Sequence, residues 1–145
     1  MAIQRLDHVS VVVEDLGAAI EFFVELGMEV EGEGTVEGEW VDRVNAVYGV
    51  RVDIAMMRTP DGHGKLELTR FHTPDTRNPD PDAPSNTLGL RSVMFAVDDV
   101  DDSVNRLRPR GGELVGTIEQ YEDIYRLCYV RGPGGIIVSL AEELG

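Results

Sequence analysis

The chain has 145 residues, which is enough for one ordinary globular domain with a buried core. Hydrophobic residues make up 42% of it, and this fraction excludes an intrinsically disordered composition. The formal charge of −14 at pH 7 argues against a nucleic acid partner, because a phosphate-binding surface needs a basic face.

The N-terminal stretch MAIQRLDHVSVVVEDL does not have the pattern of a signal peptide, since Arg5, Asp7 and Glu14 interrupt its apolar residues. Nowhere does the sequence approach the roughly 20 consecutive apolar residues that a membrane span requires. Cys128 is the single cysteine, which excludes an intrachain disulfide and favours a reducing compartment. These features predict a cytoplasmic protein without a membrane partner.

The first predicted elements are the strand His8–Val13 and a helix that follows Asp15. The strand is rich in β-branched residues, and Asp15 is suited to accept hydrogen bonds from the first amides of a helix. Apolar residues follow at helical spacing up to Gly27, which can adopt the left-handed conformation that ends a helix. Three more strands complete this half: Met28–Thr35, Val52–Met57 and Lys65–Phe71.

Residues 72–88 contain four prolines and no periodic pattern, so they predict a linker or a lid. Beyond them the first half repeats. HVSVVVEDLGAAIEFFVELGMEV aligns without a gap on SVMFAVDDVDDSVNRLRPRGGEL, which places His8 over Ser92, Asp15 over Asp99 and Gly27 over Gly111. The further elements of the second half are the strands Ser92–Val97, Glu113–Ile118, Tyr125–Arg131 and Ile136–Ala141, with a helix after Asp99.

This repeat predicts an α+β fold made of two tandem βαβββ modules. Module one covers residues 1–71, the proline-rich linker 72–88 and module two 89–145, all within one domain of residues 1–145. Alternation along the strands turns one side of each sheet toward its helix and leaves mixed polar and small residues on the other side, as a ligand groove requires. The residues predicted to contact a ligand are Ser10, Thr69, Ser92, Met94, Ser139 and Tyr129.

Four stretches carry a resemblance to a known family: LDHVSVVVEDLGAAIEFFVELGMEV, KLELTRF, GLRSVMFAVDDVDDSVNRL and YVRGPGGIIVSL. Together they resemble the vicinal oxygen chelate superfamily, which includes glyoxalase I, bleomycin-resistance proteins and extradiol dioxygenases. The resemblance implies two βαβββ modules that form a U-shaped mixed sheet around a pocket. It also implies a small-molecule ligand and assembly as a homodimer.

In metal-dependent members of this superfamily, four sheet positions supply the ligands. They fall here on His8, Glu67, Ser92 and Ser139. Imidazole and carboxylate suit divalent Ni, Zn, Fe or Mn, whereas a neutral serine hydroxyl is a poor replacement. The resemblance therefore implies half of a metal site, and the cofactor is either such a metal or none.

Three functions are compatible with this half-site. The first is a small-molecule-binding protein with an incomplete metal site that holds or sequesters a drug-like or aromatic compound. The second is a metal-dependent glyoxalase-like lyase or isomerase, or a dioxygenase, in which His8 and Glu67 are the catalytic and metal-binding residues. The third is a dimeric protein without a working pocket. His63 and His72 are interpreted as surface residues.

Overall fold

The computed structural model describes residues 2–77 and 79–145. These residues form two compact units that divide inside the predicted linker, one ending at Arg77 and the other covering, in its described part, residues 79–145. Each unit combines helix with a mixed sheet, which confirms the predicted α+β class. None of the helices in the described residues is long and apolar enough to cross a membrane.

The first unit contains a four-stranded sheet with the strand order β1-β4-β3-β2. β1 and β4 are parallel, and the other pairs are antiparallel. Its elements are β1 (Val9–Val12), α1 (Leu16–Leu26), β2 (Glu29–Glu37), α2 (Glu39–Asn45), β3 (Arg51–Arg58) and β4 (Lys65–Thr73).

Both predicted caps of α1 are present. The Asp15 carboxylate accepts a hydrogen bond from the Ala18 amide at 2.9 Å, and Gly27 ends the helix at a φ of 121°. The helix buries Phe22 and Phe23 completely, and the sheet contributes Leu68 to the same core. Burying such aromatic side chains stabilises the packing of α1 on the sheet.

The short helix α2 was not predicted from the sequence. Its Val41 is buried in a cluster with Val50 and Val52, and Phe71 packs against this cluster. The register pairs Val52 with Phe71 on the sheet side that faces away from the buried Ala55 and Met57. One end of this second side is therefore covered by α2.

The second unit has the strand order β5-β9-β8-β6, and β7 also pairs with β8. β5 and β9 are parallel, as β1 and β4 are in the first unit. Its elements are β5 (Ser92–Ala96), α3 (Val100–Leu107), a 3₁₀ turn (Arg108–Arg110), β6 (Glu113–Leu114), β7 (Glu119–Tyr121), β8 (Tyr125–Arg131), a second 3₁₀ turn (Pro133–Gly135) and β9 (Ile137–Glu143).

Most predicted strand ends differ from the structure by one or two residues, and one strand differs by more. The predicted strand Glu113–Ile118 is wrong beyond Leu114, because the chain leaves the sheet near Gly116 and returns only at Glu119. A glycine has no side chain to pack on the pleated surface, so it weakens a strand at that point. β4 runs two residues past its predicted end, to Thr73, because its pairing with β3 continues as far as Arg51.

The parallel ladders show that the two units repeat the same register. Ser10 pairs with Glu67 in the first unit, and Met94 pairs with Ser139 in the second. The gapless sequence alignment already places Ser10 over Met94, so Glu67 and Ser139 occupy equivalent sheet positions. This register confirms the predicted repeat at the level of individual residues.

Candidate functional site

The candidate site lies on the side of the first sheet that faces away from α1, called here the open face. Ser10 on β1, Glu67 on β4, Met56 on β3 and Gly32 on β2 lie opposite one another across the four strands. The row next to it, one pleat further along, is formed by Val12, Thr69, Ile54 and Gly34.

His8 immediately precedes β1 and is held between two carboxylates. Its Nδ1 lies 2.8 Å from Asp7 Oδ2, and its Nε2 lies 3.5 Å from Glu67 Oε2. Because a carboxylate accepts hydrogen bonds, we assign the Nδ1 proton to the bond with Asp7, which leaves Nε2 directed toward Glu67. The hydrogen bonds from His8 and then Arg5 lower the pKa of Asp7 below its usual value.

Two hydroxyl groups orient the Glu67 carboxylate. Ser10 Oγ donates to Glu67 Oε1 at 3.1 Å, and Thr69 Oγ1 donates to the same oxygen at 3.2 Å. Thr69 is only 6% exposed, so its hydroxyl acts on Glu67 from within the protein. Oε2 faces His8 Nε2 at a distance longer than an ordinary N–H···O hydrogen bond, and it is free to accept a further donor.

His8 and Glu67 do not make a complete metal site. Tight binding of divalent zinc or a similar metal ordinarily takes at least three protein ligands. Within residues 2–77 and 79–145, no group of three or more His, Cys, Asp or Glu side chains is placed to hold a metal ion. The residues present therefore do not fit a tightly held resident metal.

The second unit carries the remaining predicted ligand contacts. Met94, Ser139 and Tyr129 lie opposite one another on β5, β9 and β8, whereas Ser92 pairs with Ile137. Met94 is 62% exposed and Tyr129 is also exposed, but Ser139 is only 5% exposed. Each predicted set is thus brought together within its own unit, His8, Ser10, Glu67 and Thr69 in the first and Met94, Tyr129 and Ser139 in the second.

Asp7 is a site residue that the sequence reasoning missed. Its bond to His8 joins adjacent residues just before β1, where no strand periodicity marks a facing position. An acidic residue directly before a candidate ligand histidine was the signal available, since such histidines commonly donate their second ring N–H to a carboxylate.

A second polar cluster lies outside the open face. His72 Nε2 lies 2.7 Å from Asp53 Oδ2, and Thr35 Oγ1 donates to Asp53 Oδ1 at 2.7 Å. These hydrogen bonds, the one from Thr35 first, lower the pKa of Asp53. Asp53 alternates with Met56 along β3 and therefore faces the opposite side of the sheet from Glu67. His72 was interpreted as a surface residue, but it is half-buried and paired.

Comparison with solved structures places the chain among proteins of one fold. A glyoxalase family protein from Bacillus cereus is 53% identical, with a TM-score of 0.95, and the match covers 100% of this chain and 97% of that one. A glyoxalase I variant from Zea mays is 19% identical, with a TM-score of 0.68 over 97% of this chain and 48% of its own. An antibiotic binding protein from Streptomyces is 22% identical, with a TM-score of 0.61 over 99% of this chain and 98% of its own.

The last two likenesses show the fold alone, because their identities are low. A comparison with functionally curated proteins gave no match. The sequence model of the Glyoxalase/Bleomycin resistance protein/Dioxygenase superfamily matches residues 5–140, which is nearly the whole chain. The chain belongs to the glyoxalase/bleomycin resistance protein/dioxygenase superfamily.

Proposed function

We propose that this protein binds a small organic molecule noncovalently on the open face of the first sheet, and that it does so without a resident metal. The observation that carries the proposal is the hydrogen bonding of the Glu67 carboxylate. Two hydroxyls fix one carboxylate oxygen, while the other is directed to a place where the described residues supply only His8 Nε2, at 3.5 Å. This arrangement suits a donor group of a ligand better than a metal.

The surroundings of Glu67 support this function. Its side chain is 23% exposed, and a carboxylate that is partly withdrawn from water needs hydrogen-bond partners. Met56 and Ile54 provide half-buried apolar surface beside it. A few oriented polar groups within apolar surroundings are typical of small-molecule sites. The superfamily includes drug-binding proteins, and the antibiotic binding protein from Streptomyces supports sequestration by analogy of fold only.

The test is a thermal-shift screen of the wild-type protein against a panel of cationic, neutral and anionic small molecules. We expect at least one compound to raise the melting temperature at a saturating concentration, because a ligand that binds the folded state stabilises it. Glu67→Gln should abolish this shift. The matched control is Glu33→Gln, since Glu33 is exposed and pairs with the buried Ala55 on the other side of the sheet. A panel without any stabilising compound would contradict the proposal.

A metal-dependent lyase, isomerase or dioxygenase is the second candidate function, and the contact between Asp7 and His8 favours it. A carboxylate on Nδ1 is the usual partner of a histidine that binds a metal through Nε2. The test is metal content by mass spectrometry after purification without a metal-affinity tag. One metal per chain that is lost in His8→Ala and Glu67→Ala, but retained in His63→Ala, would favour this function over the first.

A further inference from the structure

Two glycines occupy adjacent open-face positions in the middle of β2. Gly32 pairs with Met56 and Gly34 pairs with Ile54, in the sequence EVEGEGTVE. Glycine weakens the interior of a strand, because it loses more backbone entropy on folding and contributes no side chain to the packing. Two of them on the same face of one strand therefore require a physical reason.

Gly32 directly follows a β-bulge, because the register of β2 against β3 shifts between Val30 and Gly32, whereas the register is regular from Gly32 through Gly34 to Glu37. The φ angles of both glycines lie outside the positive range that favours glycine. A Cβ atom added at either position would meet no described atom within 4 Å. For Gly34 the reason that remains is the close approach of another molecule to the backbone, and Gly32 beside the bulge extends the same strip without side chains.

The surface around the two glycines has defined boundaries within the first unit. At one end, the apolar cluster under α2 begins at Ile54. At the other end, two ion pairs cross the sheet, Arg58 with Glu29 and Lys65 with Glu31, each at 3.1 Å. Between these boundaries lies a strip of backbone without side chains, next to Met56, and a thioether contacts aromatic rings favourably.

The size of this strip favours a planar ligand. Gly32 and Gly34 are about 7 Å apart along the strand, and Glu67 lies two strands away from Gly32, about 10 Å across the sheet. These are the dimensions of two or three fused aromatic rings. A ring system that lies on the glycines and Met56 would therefore reach Glu67 with its edge.

The charge of the site favours a cation. Each of the two ion pairs is neutral overall, and Glu67 Oε2 retains the capacity to accept a hydrogen bond. The net charge of −14 also raises the local concentration of cationic ligands. We propose that the protein recognises a planar aromatic cation, whose rings lie on the backbone of Gly32 and Gly34 and whose N–H group donates to Glu67. This inference rests on the proposed function and specifies its ligand class.

Three tricyclic probes of one shape test the inference: proflavine, which is cationic, acridone, which is neutral, and acridine-9-carboxylate, which is anionic. Dissociation constants are measured by calorimetry at about 0.15 M salt, where nonspecific attraction to the acidic surface is largely screened. We expect proflavine to bind at least about tenfold more tightly than the other two probes, which corresponds to one lost charged hydrogen bond.

The decisive variants are Gly32→Ala and Gly34→Ala. Each should weaken proflavine binding about tenfold or more, because the added methyl group lifts the rings off the backbone. The melting temperature of both variants should stay the same or rise, since the methyl group meets no described atom. Gly17→Ala is the matched control, because Gly17 lies in α1 on the other side of the sheet. Glu67→Gln should weaken proflavine to the level of acridone, whereas Glu33→Gln should not.

Each of the other outcomes would contradict a specific part of the inference or of the proposed function. If proflavine binds equally well to wild type and to both glycine variants, then the strip does not contact the ligand. If acridone or the carboxylate binds as well as proflavine, then the ligand class is wrong while small-molecule binding stands. If none of the three probes binds but other compounds in the thermal-shift panel do, then the inference fails and the proposed function survives. If nothing in either experiment binds, both fail.

Discussion

Neighbouring polar groups determine what each residue of the open face can do. Ser10 and Thr69 use their hydroxyls on Glu67, and Asp7 uses its carboxylate on His8, so none of the three needs to touch a ligand to affect binding. Glu67 and His8 then present one acceptor and one ring nitrogen to each other. Ser10 and Thr69 were predicted as ligand contacts, and the geometry favours a positioning role for both.

The pair formed by Asp53 and His72 leads to a prediction about acid stability. The folded state lowers the pKa of Asp53 below its usual value of 3.8, so the carboxylate stabilises the fold above about pH 4. This contribution is lost as the pH falls through the lower folded-state pKa. We therefore expect Asp53→Asn to lower the melting temperature at pH 7, and the difference from wild type to shrink on acidification to about pH 3.

Melting curves at pH 7, 5, 4 and 3 would test this expectation. Asp75→Asn is the control, because Asp75 is exposed and lies outside the bonded pair. A difference between Asp53→Asn and wild type that stays constant over this pH range would show that Asp53 does not contribute through its charge.

At the scale of secondary-structure elements, the sequence predicted the helices and strands that occur in both halves, and it missed α2, which occurs only in the first half. The helices after Asp15 and Asp99 and the strand Tyr125–Arg131 were predicted correctly, since capping residues and the glycine- and proline-rich turn after Arg131 are strong local signals. α2 was missed because its seven residues span less than two turns of apolar periodicity and include three charged side chains. Its position depends on tertiary packing, which a local pattern does not record.

The anchoring of α2 leads to a second prediction. Val41 is 4% exposed within the cluster of Val50 and Val52, whereas Val44, on the same helix, is 77% exposed. Val41→Ala should lower the free energy of unfolding by about 1–2 kcal/mol, because it leaves a cavity in that cluster. Val44→Ala, the same substitution at an exposed site, should change it by less than about 0.5 kcal/mol.

Urea denaturation followed by the fluorescence of Trp40, the single tryptophan, would measure both changes. Trp40 lies next to Val41 in α2, so its emission reports on the helix itself. Equal effects of the two substitutions would mean that α2 is not held by the Val41 cluster.

The glycine turn before β9 leads to a third prediction. Gly135 has a φ of +80°, and a Cβ atom there would lie 2.7 Å from the carbonyl oxygen of Pro81. Part of the predicted linker thus packs against the turn within the second unit. Gly135→Ala should lower the free energy of unfolding for two reasons, the strain of a left-handed alanine and the displacement of Pro81. Gly111→Ala should lower it through the strain alone, because Gly111 has a φ of +87° and no described atom lies within 4 Å of an added Cβ.

We expect about 1 kcal/mol for Gly111→Ala and at least about 1 kcal/mol more for Gly135→Ala, measured as the loss in free energy of unfolding. Both glycines lie in the second unit, so both variants report on the stability of the same unit. A similar loss in both variants would show that Pro81 moves away from the turn without cost.

At the scale of the whole molecule, the two units share one register but carry different chemistry. Ser10 and Glu67 in the first unit correspond to Met94 and Ser139 in the second, so the two units share the same strand pairing but differ in their side chains. The sequence predicted the positions because alternation fixes which residues share a face. It did not predict the hydrogen bond between His8 and Asp7 or the strip without side chains on β2, since both depend on the tertiary arrangement. The homodimer stays a prediction.

The excess of acidic residues leads to the last prediction. Added salt should raise the melting temperature and weaken the binding of a cationic ligand. With a net charge of −14, the folded state suffers self-repulsion that added salt screens. The ion pairs also weaken in salt, but most are exposed, and such pairs contribute little. Raising sodium chloride from about 20 mM to about 500 mM should therefore raise the melting temperature by a few degrees.

The same salt increase should weaken the binding of a cationic ligand such as proflavine, since it screens the attraction between the cation and the acidic protein. Melting curves and calorimetry on one set of samples would measure both properties, and choline chloride in place of sodium chloride would show whether specific sodium binding contributes. A melting temperature that falls with salt would mean that the ion pairs outweigh the repulsion. A salt-independent affinity would place the ligand cation away from the acidic surface and from Glu67.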